Sequence, residues 1–140
     1  MAEEHIRRKN INRGFRKLDI WQLSIDYYKM IVTVMSRCVS IPYKVKAQIE
    51  DSALSISSNI AEDYARRSPK ENLRFNEIAL SSTAESYSQI HALKAAGQIK
   101  LSGFESLDTK LYEIENKIIQ MNKAILKKIN AGGKWNSDYQ

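Results

Sequence analysis

Apolar residues recur along most of this chain at alternating intervals of three and four, and this spacing limits the folds open to it. The last such segment is the most regular, because its apolar residues follow one another at steps of 4, 3, 4, 3, 4 and 4. They are Leu107, Leu111, Ile114, Ile118, Met121, Ile125 and Ile129. Residues at this spacing share one face of an α-helix. With only 2 Pro and 5 Gly to interrupt helices, the sequence predicts an all-α fold.

Start and stop signals divide the pattern into four helices. The first is predicted to have Asp19 as its N-cap and to stop at Pro42. The second begins between Tyr43 and Val45. The predicted apolar stripe of the first helix is Trp21, Ile25, Tyr28, Val32, Met35 and Val39, and that of the second is Val45, Ile49, Ala53, Ile56, Ile60 and Tyr64.

Capping signals are strongest for the third and fourth helices. Ser68 and Glu71 match a capping box, with a proline at the first helical position between them. Gly97 stands where a left-handed residue commonly ends a helix. Ser102 and Glu105 repeat the capping spacing at the start of the fourth helix. The predicted inner face of the third helix is Phe75, Ala79, Ser82, Ser86, Ile90 and Leu93.

Four helices joined by short turns pack as neighbours that run up and down. We therefore expect an antiparallel up-and-down four-helix bundle over residues 19–132, preceded by a basic N-terminal arm (1–18). A flexible tail (133–140) follows, with glycines 132 and 133 ending the last helix. Four apolar residues outside the main stripes either complete the core or form a surface between subunits, and the sequence leaves both open. They are Ile31, Val34, Ile119 and Leu126.

Charge and composition narrow the class of protein. The net charge is +6 and the pI is about 9.4, a balance that suits binding to polyanions but that solubility alone explains equally well. The sequence contains no run of 18 or more apolar residues, so no membrane span is predicted. The N-terminus also lacks the apolar segment that a signal peptide requires. The single cysteine, Cys38, excludes an internal disulfide. We expect a cytoplasmic protein without membrane contact.

Basic residues form three clusters that are candidates for contact with RNA or DNA. One lies in the arm, whose low apolar content predicts that it does not fold alone, and one surrounds the turn between the second and third helices. The third is Lys123, Lys127, Lys128 and Lys134. Without an aromatic-interleaved RNA motif, binding would depend on phosphate contacts. The residues predicted to bind nucleic acid are Arg7, Arg8, Lys9, Arg13, Arg66, Arg67, Lys70 and Arg74.

Polar residues interrupt the apolar pattern of the two middle helices. Their spacing favours a hydrogen-bond network that fixes helix register, and an acidic pocket is the alternative. A catalytic acid pair needs a nucleophile or a metal nearby, and the sequence offers neither. We therefore predict no catalytic residue, no metal site and no cofactor. The predicted network consists of Asn59, Glu62, Ser82, Glu85 and Gln89.

The middle of the chain resembles the 23S rRNA intervening-sequence protein family. Residues 55–62 read Ser-Ile-Ser-Ser-Asn-Ile-Ala-Glu, close to the family's Ser-Ile-x-x-Asn-Ile-Ala-Glu-Gly. Tyr64 and Arg66 stand where an aromatic residue and an Arg follow in that pattern. Asp63 departs from the pattern because it replaces the usual Gly, and packing is expected to differ there. The resemblance covers roughly residues 15–100.

The resemblance implies a four-helix bundle that assembles into a barrel-like homopentamer. The accessory variability proteins of diversity-generating retroelements are similar in fold, and they are basic pentamers that work with a reverse transcriptase and RNA. The leading interpretation is a non-enzymatic oligomer that binds nucleic acid, RNA in the first place, through its basic surface. The alternative is a protein-interaction adaptor, for example an accessory subunit of a retroelement reverse transcriptase.

Overall fold

The computed structural model describes residues 4–131, and all secondary structure in this range is helical. The predicted all-α class is therefore confirmed. The predicted tail, the two glycines at 132 and 133 and Lys134 lie outside the described residues. The elements are α1 (Glu4–Arg7), a 3₁₀ segment (Ile11–Lys17), α2 (Asp19–Arg37), α3 (Tyr43–Ala65), α4 (Pro69–Ala95) and α5 (Leu101–Asn130).

The four long helices pack side by side around one apolar interior. α3 contacts α2 and α4, and α5 contacts α4 and α2, so each long helix has two helical neighbours. Each buried Leu, Ile or Met in this interior contributes about 1.5–3 kcal/mol relative to an exposed one. The largest fully buried apolar side chains are Tyr27, Ile31, Met35, Ile49, Ile56, Ile60, Ile90, Leu107, Leu111, Ile114 and Ile118. In the part of the chain that the structure describes, no helix is long and apolar enough to cross a bilayer.

The predicted stripe of α2 is wrong by one residue. The buried face consists of Ile20, Ser24, Tyr27, Ile31 and Met35. Of the predicted stripe only Met35 is buried, whereas Val32 and Val39 are exposed. The predicted stripe contains only apolar residues, whereas the buried face includes a serine. Ser24 is tolerated in the core because its hydroxyl donates to the Ile20 carbonyl at 2.6 Å.

The other three stripes are close to the predictions. The six predicted residues of α4 are all buried, as are Ile49, Ala53, Ile56 and Ile60 of α3. On α5, five of the predicted residues are buried, and Met121 and Ile129 are half-buried. The last predicted position of α3 is wrong, because Tyr64 is exposed and the preceding residue, Asp63, is buried instead. A carboxylic acid thus occupies the core-facing position at the end of α3.

Two predicted boundaries of α2 are also wrong. Asp19 is the first residue of the helix rather than its N-cap, and the helix ends at Arg37 rather than at Pro42. Asp19 instead pairs with Lys117 of α5, with 2.6 Å between the carboxylate Oδ2 and Nζ. Hydrogen bonding to Asp19 and its negative charge raise the pKa of Lys117. The aspartate therefore joins two helices instead of capping one.

The predicted capping boxes do not form. Ser68 occupies the N-cap position of α4, but its side chain makes no capping hydrogen bond. Glu71 pairs with Arg74 on its own helix, 3.6 Å apart, and so faces away from the cap. α5 begins at Leu101, which puts Ser102 inside the helix. The predicted helices are present, but the serine spacing does not describe how they start.

Gly97 ends α4 as predicted. Its φ of +72° lies in the left-handed region that a side chain would strain. The Gly97 N–H donates to the Lys94 carbonyl at 3.0 Å, and the Gln98 N–H donates to the Leu93 carbonyl at 2.9 Å. This pair of bonds is the Schellman motif, which satisfies carbonyls that the last helical turn leaves free.

Tyr27 makes the principal polar contact inside the core. Its side chain is fully buried, and its hydroxyl lies 2.6 Å from Oγ of the equally buried Ser86, which joins α2 to α4. Burial raises the pKa of the Tyr27 phenol, so the hydroxyl keeps its proton. Each of these hydroxyls satisfies the other in a region from which water is excluded.

Replacing Tyr27 by Phe removes one partner and leaves the Ser86 hydroxyl buried and unpaired. We expect Tyr27→Phe to lower the free energy of unfolding by about 1–2 kcal/mol in urea denaturation. Adding Ser86→Ala to Tyr27→Phe should recover about 1 kcal/mol of that loss, because no unpaired hydroxyl then remains. Strictly additive effects of the two substitutions would show that the hydroxyl pair does not couple the helices.

Candidate nucleic-acid interface

The N-terminal arm is docked on the bundle over much of its described length. The 3₁₀ segment packs against α2 and α3. Gly14 lies directly against the end of the Tyr64 side chain, which would have to move if a side chain were added here. The Phe15 ring contacts Trp21 and Tyr64, with centroids 5.1 and 6.5 Å apart. The arm was predicted not to fold alone, and in the structure the bundle supplies the apolar partners that it lacks.

The side chain of Arg16 organises the arm by donating hydrogen bonds to backbone carbonyls of the arm. Its guanidinium donates to the carbonyls of His5 and Arg8, at 3.1 and 2.7 Å, and Nε donates to the Arg13 carbonyl at 3.3 Å. One basic side chain is thereby used for structure. The four residues of the arm that were predicted to bind nucleic acid keep exposed side chains: Arg7, Arg8, Lys9 and Arg13.

The second predicted cluster surrounds the turn between α3 and α4. Arg66, Arg67, Lys70 and Arg74 are all exposed. The guanidinium groups of Arg66 and Arg74 lie over the Phe75 ring, 5.3 and 5.6 Å from its centroid. Stacking of this kind restricts each guanidinium, and Arg74 is also paired with Glu71.

Asn72 fixes the backbone of this turn. Its side chain is buried, and its Nδ2 donates to the carbonyls of Asp63 and Arg66, at 2.8 and 3.1 Å. Asp63 lies in the last turn of α3 and Arg66 is its C-cap, and the Asp63 carbonyl also accepts from the Arg66 N–H at 3.0 Å. The amide therefore caps α3 from the neighbouring helix and fixes where Arg66 leaves it.

Arg66 and Arg67 of the second predicted cluster line a cavity of about 380 Å³, which we call the end cavity, whereas the predicted basic residues of the arm do not line it. The arm and its junction with α2 contribute apolar residues, α3 and the following turn contribute charged and polar ones, and the second half of α5 closes the remaining side. Exposed Lys123 and Lys127 belong to the same part of α5. The lining residues are Ile11, Leu18, Asp63, Tyr64, Arg66, Arg67, Asn72, Met121 and Ile125.

Asp63 is the unusual residue of the end cavity. It is only 6% exposed, and its Oδ1 has no hydrogen-bond partner. Burial raises the pKa of its carboxyl to about 7, and the nearby Asn72 amide partly opposes this shift. Sequence analysis recorded Asp63 as a departure from a family pattern but assigned it no role. Its position three residues after Ile60 and seven after Ile56, on the core-facing side of α3, was the available signal.

Two further side-chain oxygens in this half of the molecule are buried without a hydrogen-bond partner. Among residues 4–131, the buried side-chain oxygens without a partner are Asp63 Oδ1, Asn76 Oδ1 and Asn122 Oδ1. The amide of Asn76 lies 3.2 Å from Sδ of Met121, a residue that lines the end cavity. This half of the interior therefore contains polar groups that the protein itself does not fully satisfy.

The predicted polar network is distributed differently from the expectation. Ser52 donates to Gln89 Oε1 at 2.5 Å, and the hydroxyls of Ser55 and Ser82 lie 2.9 Å apart. The amide of Asn59 donates to the Ser55 carbonyl at 2.8 Å. These bonds bring Asn59, Ser82 and Gln89 together along the contact of α3 and α4. The two predicted acids, Glu62 and Glu85, are exposed, so substituting either should change stability little.

The buried Asp63 predicts a pH dependence of stability. The folded chain keeps this proton up to a pH of about 7, whereas the unfolded chain releases it near 3.8. The folded state thus binds more protons between these values, and its stability falls as the pH rises from about 4 to about 7. Replacing the acid by its neutral isostere removes this loss. We expect Asp63→Asn to be more stable than wild type by about 2–4 kcal/mol at pH 8 and nearly equal at pH 4.

Urea denaturation at both pH values measures this difference. The matched control is Glu62→Gln, which removes the same charge from the exposed neighbouring position. Its stability should stay within about 0.5 kcal/mol of wild type at both pH values. A constant difference between Asp63→Asn and wild type across the range would show that Asp63 does not carry the effect.

Comparison with known proteins agrees with the resemblance seen in the sequence. No curated protein matches the chain significantly. The model of the family described as 23S rRNA-intervening sequence protein matches residues 16–120, well over half of the chain. The match includes α2, α3 and α4 and extends into α5. The chain therefore belongs to the 23S rRNA-intervening sequence protein family.

Proposed function

We propose that this chain is a non-enzymatic, cytoplasmic protein that binds RNA through the basic residues around the end cavity. The observation that carries the proposal is the exposed basic cluster of the turn between α3 and α4 at the end cavity, which the arm borders through apolar residues. Arg66 and Arg67 line it together with Ile11 of the arm. Exposed Arg and Lys side chains that gather on one surface are the electrostatic footprint of proteins that contact phosphates.

Further features of this surface suit a phosphate backbone. Arg66 and Arg74 are restricted by Phe75, so less side-chain entropy is lost when they bind an anion. Most contacts would be made to phosphates, which gives affinity without strong preference for sequence. The family description, which refers to an intervening sequence of 23S rRNA, supports RNA over DNA as the ligand.

We also propose that the four long helices form an antiparallel up-and-down bundle and that this subunit assembles into a homopentamer. Support for a contact between subunits comes from α5, where Tyr112, Ile119 and Leu126 follow one another at intervals of seven and are all exposed. Residues at this interval lie along one line of a helix. A ring of five subunits would repeat the basic surface five times and add weak contacts to one another.

The opposite end of the subunit favours a second candidate function, that of an adaptor for a protein such as a reverse transcriptase. Val39 and Tyr43, beside the turn between α2 and α3, are 96% and 85% exposed, and Leu101 at the start of α5 is also exposed. Large apolar residues in this position are typical of a protein contact. RNA binding at one end is compatible with a protein partner at the other.

The RNA proposal predicts a strong effect of charge near the end cavity. The test variant is Arg67→Gln with Lys70→Gln, since both side chains are exposed. We expect it to bind a labelled single-stranded RNA about tenfold more weakly at 0.1 M salt. The slope of log affinity against log salt should decrease by about 1.4, because each lost phosphate contact on a single strand removes about 0.7. Fluorescence anisotropy at several salt concentrations measures both quantities.

The matched control is Lys44→Gln with Lys100→Gln. These exposed lysines lie at the start of α3 and just before α5, and a 23-residue α3 separates Lys44 from Arg67 by about 30 Å. A lysine at a helix N-terminus opposes the helix dipole, so its removal does not destabilise the fold. The control should bind RNA like wild type. If both variants bound RNA equally weakly, the loss of affinity would follow from net charge alone. That result would contradict an RNA interface at the end cavity.

The assembly proposal predicts a specific mass. Light scattering of the purified protein should give about five times the chain mass of 16.1 kDa. Ile119→Asp places a charge in the proposed contact and should reduce the mass toward that of the monomer. The adjacent exposed substitution Gln120→Asp should leave it unchanged. A wild-type protein that is monomeric at micromolar concentration would be incompatible with this assembly.

A further inference from the structure

The end cavity combines two opposed kinds of chemistry. On its outer side are the exposed Arg66 and Arg67, which suit an anionic group. In its wall lies the buried carboxyl of Asp63, which suits a hydrogen-bond donor. A ligand that satisfies both must be anionic at one end and carry N–H groups at the other. Nucleotides have this arrangement, with a phosphate at one end and a base edge at the other.

The unpartnered oxygen of Asp63 points to a ligand independently of the arginines. A buried carboxyl oxygen without a hydrogen-bond partner is costly, and folded chains usually satisfy such atoms internally. The Asn72 amide, which partly offsets the rise in the pKa of this carboxyl, also donates to the backbone carbonyls of Asp63 and Arg66, and Oδ1 is left without a partner. Because the terminal torsion of an aspartate is broad, either carboxyl oxygen can turn toward the cavity. A bound donor would supply the hydrogen bonds that the carboxyl lacks.

The remaining walls suit a flat, apolar-faced group. Ile11 and Leu18 lie on the side of the arm, and Met121 and Ile125 lie on the side of α5. Tyr64 adds an aromatic ring, the kind of group on which bases stack. The volume, about 380 Å³, is within the range of cavities that hold small ligands.

We propose that the end cavity is a nucleotide-binding subsite in which Asp63 accepts hydrogen bonds from the edge of a guanine base and Arg66 and Arg67 hold its phosphate. The inference deepens the proposed RNA-binding function and rests on it where the guanine belongs to an RNA chain. It also covers a free guanine nucleotide, since both present the same base and phosphate.

Guanine follows from the donors that each base offers. A carboxylate only accepts hydrogen bonds, and it does so with two adjacent oxygens. Guanine places two N–H donors side by side, at N1 and at the exocyclic 2-amino group. Adenine and cytosine present one amino donor next to an acceptor nitrogen, and uracil presents one N–H between two carbonyls. Only guanine therefore satisfies both carboxylate oxygens without placing an acceptor against them.

Calorimetric titration with free mononucleotides at pH 8 tests the subsite directly. We expect wild type to bind guanosine monophosphate at least about tenfold more tightly than adenosine monophosphate. Asp63→Asn should lose this preference. It should gain preference for xanthosine monophosphate, because xanthine replaces the 2-amino donor by a carbonyl that the asparagine amide can bind. This gain cannot arise from a merely structural effect of the substitution.

Two controls separate the parts of the site. Glu62→Gln, an exposed acid next to Asp63, should leave the guanine preference unchanged. Arg67→Gln should weaken the binding of guanosine monophosphate but not that of guanosine, which lacks the phosphate. Equal binding of the guanine and adenine nucleotides by wild type, or an unchanged preference in Asp63→Asn, would overturn the inference.

A second titration distinguishes this inference from the proposed function. Wild type is titrated with a labelled 12-nucleotide RNA of adenosine alone and with the same RNA containing one central guanosine. Tighter binding of the second RNA, lost in Asp63→Asn, supports the subsite within RNA. Equal binding of both RNAs supports RNA binding and overturns the subsite in RNA. Binding of the free guanine nucleotide without binding of either RNA supports the subsite and contradicts the proposed function.

Discussion

The apolar face of α5 is the contact on which the rest of the structure depends. Leu107, Leu111, Ile114 and Ile118 are fully buried against the neighbouring helices α2 and α4. At about 1.5–3 kcal/mol for each side chain, this face contributes more than any polar contact of the fold. The same face continues to the end cavity, where Ile125 lines the wall. The cavity is thus a continuation of the core at the end where apolar packing stops.

Polar groups inside this core differ in whether the chain satisfies them. Ser24 bonds to its own helix, Tyr27 and Ser86 bond to each other, and the Asn72 amide caps α3. Burying each of these groups costs little free energy, because the same packing holds its hydrogen-bond partner in position. Asp63 differs, because its carboxyl is buried without an equivalent partner and its pKa is raised to about 7. A group that lowers stability in this way is typical of a functional site rather than of a core.

The arm and the α3–α4 turn show how a site arises from segments that are unremarkable separately. Gly14 lets the 3₁₀ segment approach Tyr64, and the Phe15 ring fills the space between Tyr64 and Trp21. Arg16 then organises the preceding backbone. The arm becomes one wall of a cavity whose other walls are far away in sequence. The basic residues of the turn, Arg66 and Arg67, consequently share one opening with the buried carboxyl of Asp63.

The helical class, the number of long helices and most of their inner faces could be predicted from the sequence. The reason is that Ile and Leu recur along the chain with the period of an α-helix. The sequence also determined which segments are basic and which family the chain resembles. Three features could be seen only in the folded chain. Ser24 of α2 faces the core, the predicted serine caps do not form, and Asp63 is buried in place of Tyr64. For Ser24 the physical reason is a hydrogen bond within the helix, whereas Asp63 is buried with Oδ1 unpartnered where α3 packs against its neighbours. A polar side chain is tolerated in the core when a neighbour supplies its hydrogen bond, and such neighbours belong to other turns or other helices, which the local pattern does not describe.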